Sequence, residues 1–180
     1  MRKVVLTYGL LAGAIIAVLM VVTFSLANPE TGDFSMSYVL GYATMIVSLS
    51  MIFFAIKSYR DNYSGGTITF GRGFLVGLYV SIIASVLYVI TWKIYSSIAM
   101  PDFWDQYAKH SIDALTKKGA SQTEIAAEMK QMEYYKSMPP LVEWGMTFLE
   151  IFPVGILVSL ISAAILRRKS PATLQSAMAS

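Results

Sequence analysis

The chain has 180 residues, of which 56% are hydrophobic and 14% are charged, and its formal net charge is +3. Soluble domains carry about 25% charged residues, and here charge is missing from four long stretches. This pattern excludes an ordinary soluble domain and indicates an integral protein of the lipid bilayer. The sequence has no cysteine and one histidine, so we expect no metal site and no cofactor. Nothing in it indicates a nucleic-acid partner.

Each of the four apolar stretches is long enough to cross about 30 Å of hydrocarbon as a helix. We therefore predict an all-α fold, a membrane four-helix bundle within residues 1–169, with helices at about 4–27, 36–56, 74–99 and 141–166. The first stretch has an alternative, a cleavable signal peptide, since Arg2 and Lys3 precede it and Ser25-Leu26-Ala27 resembles a cleavage site. Its length and the three following stretches favour a retained helix.

Basic residues lie before the first helix, between the second and third, and after the fourth. Under the positive-inside rule this places both termini in the cytoplasm. Some of these side chains are candidates for contacts with anionic lipid headgroups: Arg60, Arg72, Arg167, Arg168 and Lys169. The simpler interpretation is that they only set the topology. The small polar tail 170–180 is predicted to be disordered in the cytoplasm.

Residues 101–140 form the only sizeable segment outside the predicted helices of the bundle, and we expect an amphipathic helical hairpin there, outside the membrane. Gly119 separates the two helices, and Ser121-x-x-Glu124 is a capping box that begins the second. About 40 residues cannot bury a core alone, so the apolar faces must rest on each other, on the membrane surface or on a partner. The candidate partner surface comprises Trp104, Ile112, Leu115, Ile125, Met129, Met132 and Tyr135.

Glu150 is the most informative polar residue. It lies 17 residues before Arg167, which is about 25 Å along a helix and therefore inside the hydrocarbon. A carboxylate at that depth costs a few kcal/mol and is a functional candidate by default. Pro153 removes a backbone hydrogen bond nearby, while Lys93 is at a similar depth and can pair with either Glu143 or Glu150. Glu150 is therefore either a site for a proton, cation or polar substrate, or a structural brace.

Small residues recur at four-residue spacing, as in Gly9 and Gly13, and again in Gly73, Gly77 and Ser81. Such spacing lets helix backbones approach closely. Two interpretations follow, a seam between identical copies or packing within one bundle, and we favour the second.

Two segments resemble a known family. They are Tyr59-Arg60-Asp61 through Gly65-Gly66-x-Ile68-x-Phe70-Gly71 to Gly77, and Phe148 to Gly155 with the following Ala163 to Lys169. Both are similar to the bacterial membrane family of domain of unknown function 4199, and the resemblance covers about residues 1–169. It implies a four-helix protein of the bacterial inner membrane and implies no activity. It also points to the same Glu150-x-x-Pro153 site.

Two functions remain open on the sequence, and an enzyme is not expected because no catalytic constellation is present. The first is a non-enzymatic scaffold or assembly partner that acts through the hairpin. The second is a small oligomeric transporter or ion conductor that uses Glu150. The partners expected are the bilayer and either further copies of the chain or another membrane protein.

Overall fold

The computed structural model describes residues 1–26, 35–99 and 101–168, and these contain seven helices and no strand. The predictions made for Ala27, for Lys169 and for the tail 170–180 concern residues outside these ranges. The helices are α1 (Arg2–Leu26), α2 (Ser35–Leu49), α3 (Met51–Tyr63), α4 (Phe70–Ala99), α5 (Phe103–Lys117), α6 (Gln122–Lys136) and α7 (Pro140–Leu166).

Four spans within the described residues are long and apolar enough to cross a membrane: Arg2–Phe24, Val39–Tyr63, Phe70–Ala99 and Pro140–Leu166. The predicted all-α, polytopic fold is therefore confirmed. The helix ends differ from those expected, since α3 continues to Tyr63 instead of stopping at Ile56, and α4 begins at Phe70 instead of Phe74. Hydropathy marks only the part of a helix that lies in hydrocarbon, and both helices extend past it with polar turns.

The second span is interrupted at one residue. Ser50 keeps helical angles, with φ −58° and ψ −22°, but Phe53 N donates to Ser50 O at 3.0 Å, which is a tighter turn than the α-helix on either side. Ser50 N still donates to Ile46 O at 2.9 Å. Helices α2 and α3 therefore act as one membrane-crossing unit with a single tightened turn.

Helix α4 is central to the bundle. Half of the residues in its most apolar window are buried, against 33–39% for the other three spans. It packs against α1 on one side and α7 on the other, and it also contacts α3, while the α2–α3 unit completes the ring by contacting α1 and α7.

Glycine contacts give the direction of the helices. Gly9 faces Ile83 and Gly13 faces Leu87, so α1 and α4 run parallel. Gly73 faces Ala163 and Gly77 faces Ser159, so α4 and α7 run antiparallel. Consequently the start of α1, the loop between α3 and α4, and the end of α7 all lie at one end of the bundle, which we call the basic end. We call the opposite end, where α5 and α6 connect α4 to α7, the hairpin end.

The seam between α4 and α7 is formed by glycine and serine, whose side chains are small or absent. A Cβ atom on Gly77 would lie 2.7 Å from Ser159 Oγ, and one on Gly155 would lie 2.8 Å from Ser81 Oγ. Each serine thus occupies the space opposite a glycine, and the two hydroxyl oxygens are 3.2 Å apart. Packing within one bundle, the favoured interpretation of the small-residue spacing, is confirmed at these positions.

Arg60 differs from its prediction as a surface residue for lipid headgroups. It is only 8% exposed, its Nε donates to Asp61 Oδ1 at 2.6 Å, and its Nη1 donates to Leu166 O at 3.4 Å. The physical reason is that the last carbonyls of α7 have no partner within the helix and accept a donor from α3. Ile68 and Arg168 add a two-bond backbone bridge, whereas Arg72, Arg167 and Arg168 keep exposed side chains.

The hairpin has the predicted turn and cap. Gly119 adopts φ +74° between α5 and α6, a conformation that favours glycine. Ser121 N donates to Glu124 Oε2 at 2.7 Å, and Glu124 N donates to Ser121 Oγ at 3.3 Å, which confirms the capping box. These donors hold the pKa of the Glu124 carboxyl below its usual range.

The apolar faces of α5 and α6 rest on each other. The Trp104 and Tyr135 rings stack with centroids 5.3 Å apart, Met132 is buried, and Lys136 pairs with Asp105. Of the seven residues predicted as a partner surface, only Met129 is exposed, with 56% of its surface accessible. The hairpin therefore covers most of the predicted partner surface with its own two helices.

Candidate functional site

An open cleft of about 390 Å³ lies where the hairpin meets the bundle. Helices α1, α4 and α7 form its base, and α5 and α6 each contribute one ring to it. We call it the aromatic cleft because five of its ten lining residues are aromatic. The lining comprises Phe24, Tyr88, Trp92, Trp104, Tyr135, Met138, Glu143, Met146, Thr147 and Glu150.

Glu150 lies ten residues into α7 from the hairpin end, or about 15 Å along the helix axis. Its side chain is exposed to the cleft instead of packed in the bundle. The Tyr88 hydroxyl donates to Glu150 Oε2 at 3.4 Å, which is a long hydrogen bond. Tyr88 itself is 8% exposed, so the bundle fixes the donor while the carboxylate faces open space.

Lys93 pairs with Glu143 and not with Glu150. The Lys93 Nζ to Glu143 Oε2 distance is 2.8 Å, with both side chains half-buried. This selects one of the two pairings left open by the sequence. The Lys93 and Glu143 charges therefore cancel each other. Among the described residues, no lysine or arginine forms an ion pair with Glu150.

Two pairs of rings face the cleft from different elements. On the bundle side, Phe24 of α1 and Trp92 of α4 are 5.2 Å apart between centroids and inclined at 44°. On the hairpin side, Trp104 of α5 and Tyr135 of α6 are stacked. Each pair lies within its own part of the fold, one in the bundle and one in the hairpin, and all four rings line the same cleft.

A second, more polar cleft of about 360 Å³ adjoins the first and shares Trp92, Trp104, Tyr135, Met138 and Glu143 with it. Its further lining residues are Lys93, Ser96, Ser97, Pro101 and Lys136. The two clefts therefore share one wall, with Lys93 and Lys136 lining the second and Glu150 lining the first. We call this second space the polar cleft.

The structure brings together residues from two separate predictions. Glu150, Glu143 and Lys93 were predicted as polar residues of the membrane helices. Trp104 and Tyr135 were predicted as part of the partner surface of the hairpin, and all five line the clefts. Pro153 is exposed and does not line either cleft. Tyr88 and Phe24 escaped the sequence reasoning because an aromatic residue within an apolar helix looks like core. A signal for Tyr88 was available, since a buried phenol requires a hydrogen-bond partner.

Buried hydroxyl groups continue from the cleft toward the basic end. Ser81 and Ser85 lie on α4, and Ser159 and Ser162 lie on α7, all at most 4% exposed. Ser81 and Ser159 bond to backbone carbonyls one turn earlier in their own helices. Ser85 Oγ lies one turn of α4 from Tyr88 and has no hydrogen-bond partner among the described residues, which is unusual for a buried polar atom.

The fold defines a multi-pass α-helical membrane protein with a helical hairpin connecting α4 to α7. The chain belongs to the family described as Protein of unknown function (DUF4199), which it matches over residues 7–168. No curated protein and no solved structure matches the chain. The family resemblance drawn from the sequence is thereby confirmed, and the description of the family assigns no activity.

Proposed function

We propose that this protein is a small membrane transporter that takes up a cation at the hairpin end and binds it at Glu150. One observation carries the proposal: Glu150 opens on the aromatic cleft, while the nearby Lys93 is engaged by Glu143. A structural brace would be expected to pair with that lysine. Here the Lys93 ammonium pairs with Glu143 instead.

The Glu150 carboxylate is costly where the bundle crosses a bilayer. An ionised side chain within a bilayer costs a few kcal/mol on insertion scales, and such residues normally face a polar cavity or a charged partner. A bound cation would offset this cost, whereas the long contact from Tyr88 offsets little of it. Glu150 therefore has more to gain from a ligand than from its present neighbours.

Transport also needs a way past the middle of the bundle. The buried hydroxyls of Ser85, Ser81 and Ser159 lie between the cleft and the basic end, and they provide polar groups where a core would ordinarily be apolar. The α4–α7 seam is closed by Gly77 and Gly155 packing against serines. Passage therefore requires the helices to rearrange, and we expect the working unit to be a dimer or larger because four helices rarely enclose a pathway.

The proposal includes an orientation and a location. The basic end, with Arg2, Lys57, Arg72 and Arg167, lies in the cytoplasm under the positive-inside rule, and the hairpin lies outside. We further propose the bacterial inner membrane as the location. The exposed arginines of the basic end are then available to anionic headgroups.

The test is uptake into proteoliposomes that contain the full chain, with sodium, rubidium, protons and tetraphenylphosphonium offered as separate cations. The wild type should accumulate at least one of them, and Glu150→Gln should lose at least nine-tenths of that flux. Glu133→Gln is the matched control, because Glu133 is exposed on α6 and lines neither cleft. Equal flux of every cation in wild type and Glu150→Gln would overturn the proposal, and so would a strict monomer in mild detergent.

Assembly through the hairpin is the second candidate function. It is favoured by the outward face of α6, which leaves Met129 56% and Tyr134 59% exposed. Replacing residues 103–136 with a short flexible linker should abolish recovery of any crosslinked membrane partner. Unchanged partners, with the bundle still folded, would count against this function.

A further inference from the structure

We infer that the aromatic cleft binds a bulky organic cation, a quaternary ammonium or phosphonium ion whose charge is covered by hydrocarbon groups. The inference rests on the proposed function for the role of Glu150 and adds the class of ligand. It follows from the combination of aromatic rings and one uncompensated carboxylate in the same cleft.

Aromatic faces attract such cations. The ring quadrupole places negative charge on each face, and a cation within about 6 Å of a ring centroid is stabilised, most strongly over tryptophan. Phe24 and Trp92 approach the cleft from the bundle, and Trp104 and Tyr135 approach from the hairpin. A ligand in the cleft can therefore meet rings of the bundle and of the hairpin, together with the Tyr88 phenol and Glu150.

The donor set argues against a divalent metal cation. Hard cations need several oxygen ligands, about six to eight for calcium and six for magnesium. Glu143 is engaged by Lys93, so the cleft offers chiefly Glu150, the Tyr88 hydroxyl and the Thr147 hydroxyl. No group of three or more histidine, cysteine or carboxylate side chains that could hold a metal ion occurs in the described ranges. A cation with no need of oxygen ligands suits this lining better.

Charge in the cleft selects the sign of the ligand. Lys93 is neutralised by Glu143, and Lys136 of the polar cleft pairs with Asp105. The net charge left in the aromatic cleft is that of Glu150. This arrangement favours a monocation over a neutral molecule of the same shape, and it disfavours an anion of that shape.

The size of the cleft is adequate for such a ligand. A volume of about 390 Å³ falls within the range of 300–1,000 Å³ typical of small-molecule sites. The mostly apolar lining, which includes Met138 and Met146, accepts hydrocarbon groups of varied shape because methionine side chains adapt to irregular surfaces.

The experiment is calorimetric titration of tetraphenylphosphonium into the full-length protein in lipid nanodiscs. Two probes of related shape, neutral triphenylphosphine oxide and anionic tetraphenylborate, are titrated in parallel. We expect saturable binding of the cation, at least tenfold weaker binding of the neutral probe, and no saturable binding of the anion. These comparisons use the wild type alone, so they do not depend on the folding of a variant.

Variants then locate the site. Glu150→Gln should weaken tetraphenylphosphonium binding at least tenfold and Trp92→Leu at least threefold, while Glu133→Gln should stay within twofold of wild type. Tyr88→Phe, which keeps the ring, should bind better than Tyr88→Leu. Equal affinity for the cation and the neutral probe, or equal affinity in wild type and Glu150→Gln, would overturn the inference.

Failure of this inference differs from failure of the proposed function. Flux of sodium, rubidium or protons that depends on Glu150, without binding of tetraphenylphosphonium, would overturn the ligand class and leave the transporter standing. Binding of tetraphenylphosphonium that depends on Glu150, without flux of any cation, would support the ligand class and overturn the transporter.

Discussion

Lys93 Nζ lies 2.8 Å from Glu143 Oε2, and this ion pair leaves Glu150, seven residues further along the same helix, with the Tyr88 hydroxyl 3.4 Å away. Two carboxylates on one helix thus have different surroundings. Glu143 is neutralised by Lys93 of α4 near the hairpin end of the bundle. Glu150 lies two turns further from the hairpin end and faces the aromatic cleft, so the two carboxylates have separate roles.

The first prediction concerns the Lys93–Glu143 pair. A double-mutant cycle with Lys93→Met and Glu143→Gln should give a coupling free energy on the order of 1 kcal/mol, because both side chains are only half-buried. Unfolding in mixed micelles with increasing denaturing detergent measures this coupling free energy.

The same pair affects ligand binding. Glu143→Gln alone should weaken organic-cation binding, since it frees the Lys93 charge beside the cleft, and the double variant should restore the affinity. Affinity that stays low in the double variant would contradict this role.

The second prediction concerns the seam between α4 and α7. Gly77→Ala should destabilise the bundle by about 1–3 kcal/mol through overpacking, because the added Cβ would lie 2.7 Å from Ser159 Oγ. Ser159→Gly should rescue it in the double variant. Gly145→Ala is the matched control, since nothing lies within 4 Å of its Cβ position, and it should be neutral or slightly stabilising. Equal effects of the two alanine substitutions would contradict the packing described here.

The third prediction concerns Arg60. Arg60→Ala should lower the free energy of unfolding by about 1–3 kcal/mol, because it removes the buried donor to the Leu166 carbonyl at the end of α7. Arg72→Ala should change it by less than about 0.5 kcal/mol, since Arg72 is exposed. Equal loss of anionic-lipid binding in both variants, with an unchanged free energy of unfolding in each, would contradict this role. Arg60 would then be a ligand for lipid headgroups.

The fourth prediction concerns Ser85, whose buried hydroxyl has no partner in the described part of the chain. Ser85→Ala should leave the protein equally stable or up to about 1 kcal/mol more stable, because no hydrogen bond is lost. If the hydroxyl serves the transport route, the same variant should reduce cation flux severalfold. Thermal unfolding and proteoliposome uptake are measured on the same preparation, and unchanged flux would remove Ser85 from the route.

The sequence was sufficient for the parts of the fold set by the bilayer. Helix length in hydrocarbon is a one-dimensional property, so the spans containing Gly13, Ile52, Val80 and Ser159 could be predicted from hydropathy alone. The ends could not, because polar turns such as Lys57 to Tyr63 continue a helix beyond the hydrocarbon. The cap at Ser121 and Glu124 was predictable because it is local, and its residues are three apart.

The candidate site was only partly predictable because it joins five helices. The depth of Glu150 follows from its distance to Arg167, but its contact with Tyr88 depends on the register between α4 and α7. The sequence likewise made Trp104 and Tyr135 part of a candidate partner surface and left open whether the apolar faces rest on each other, on the membrane or on a partner. In the structure they stack and line the cleft, because α5 and α6 pack against each other across the Gly119 turn.

The most direct test of the account is ligand-induced infrared difference spectroscopy of the protein in bilayers, with tetraphenylphosphonium added and removed. The account predicts a change in a carboxyl band that disappears in Glu150→Gln and persists in Glu133→Gln. A Glu150 band that does not respond to the cation, and that instead changes with Lys93→Ala, would contradict it and make Glu150 a structural brace.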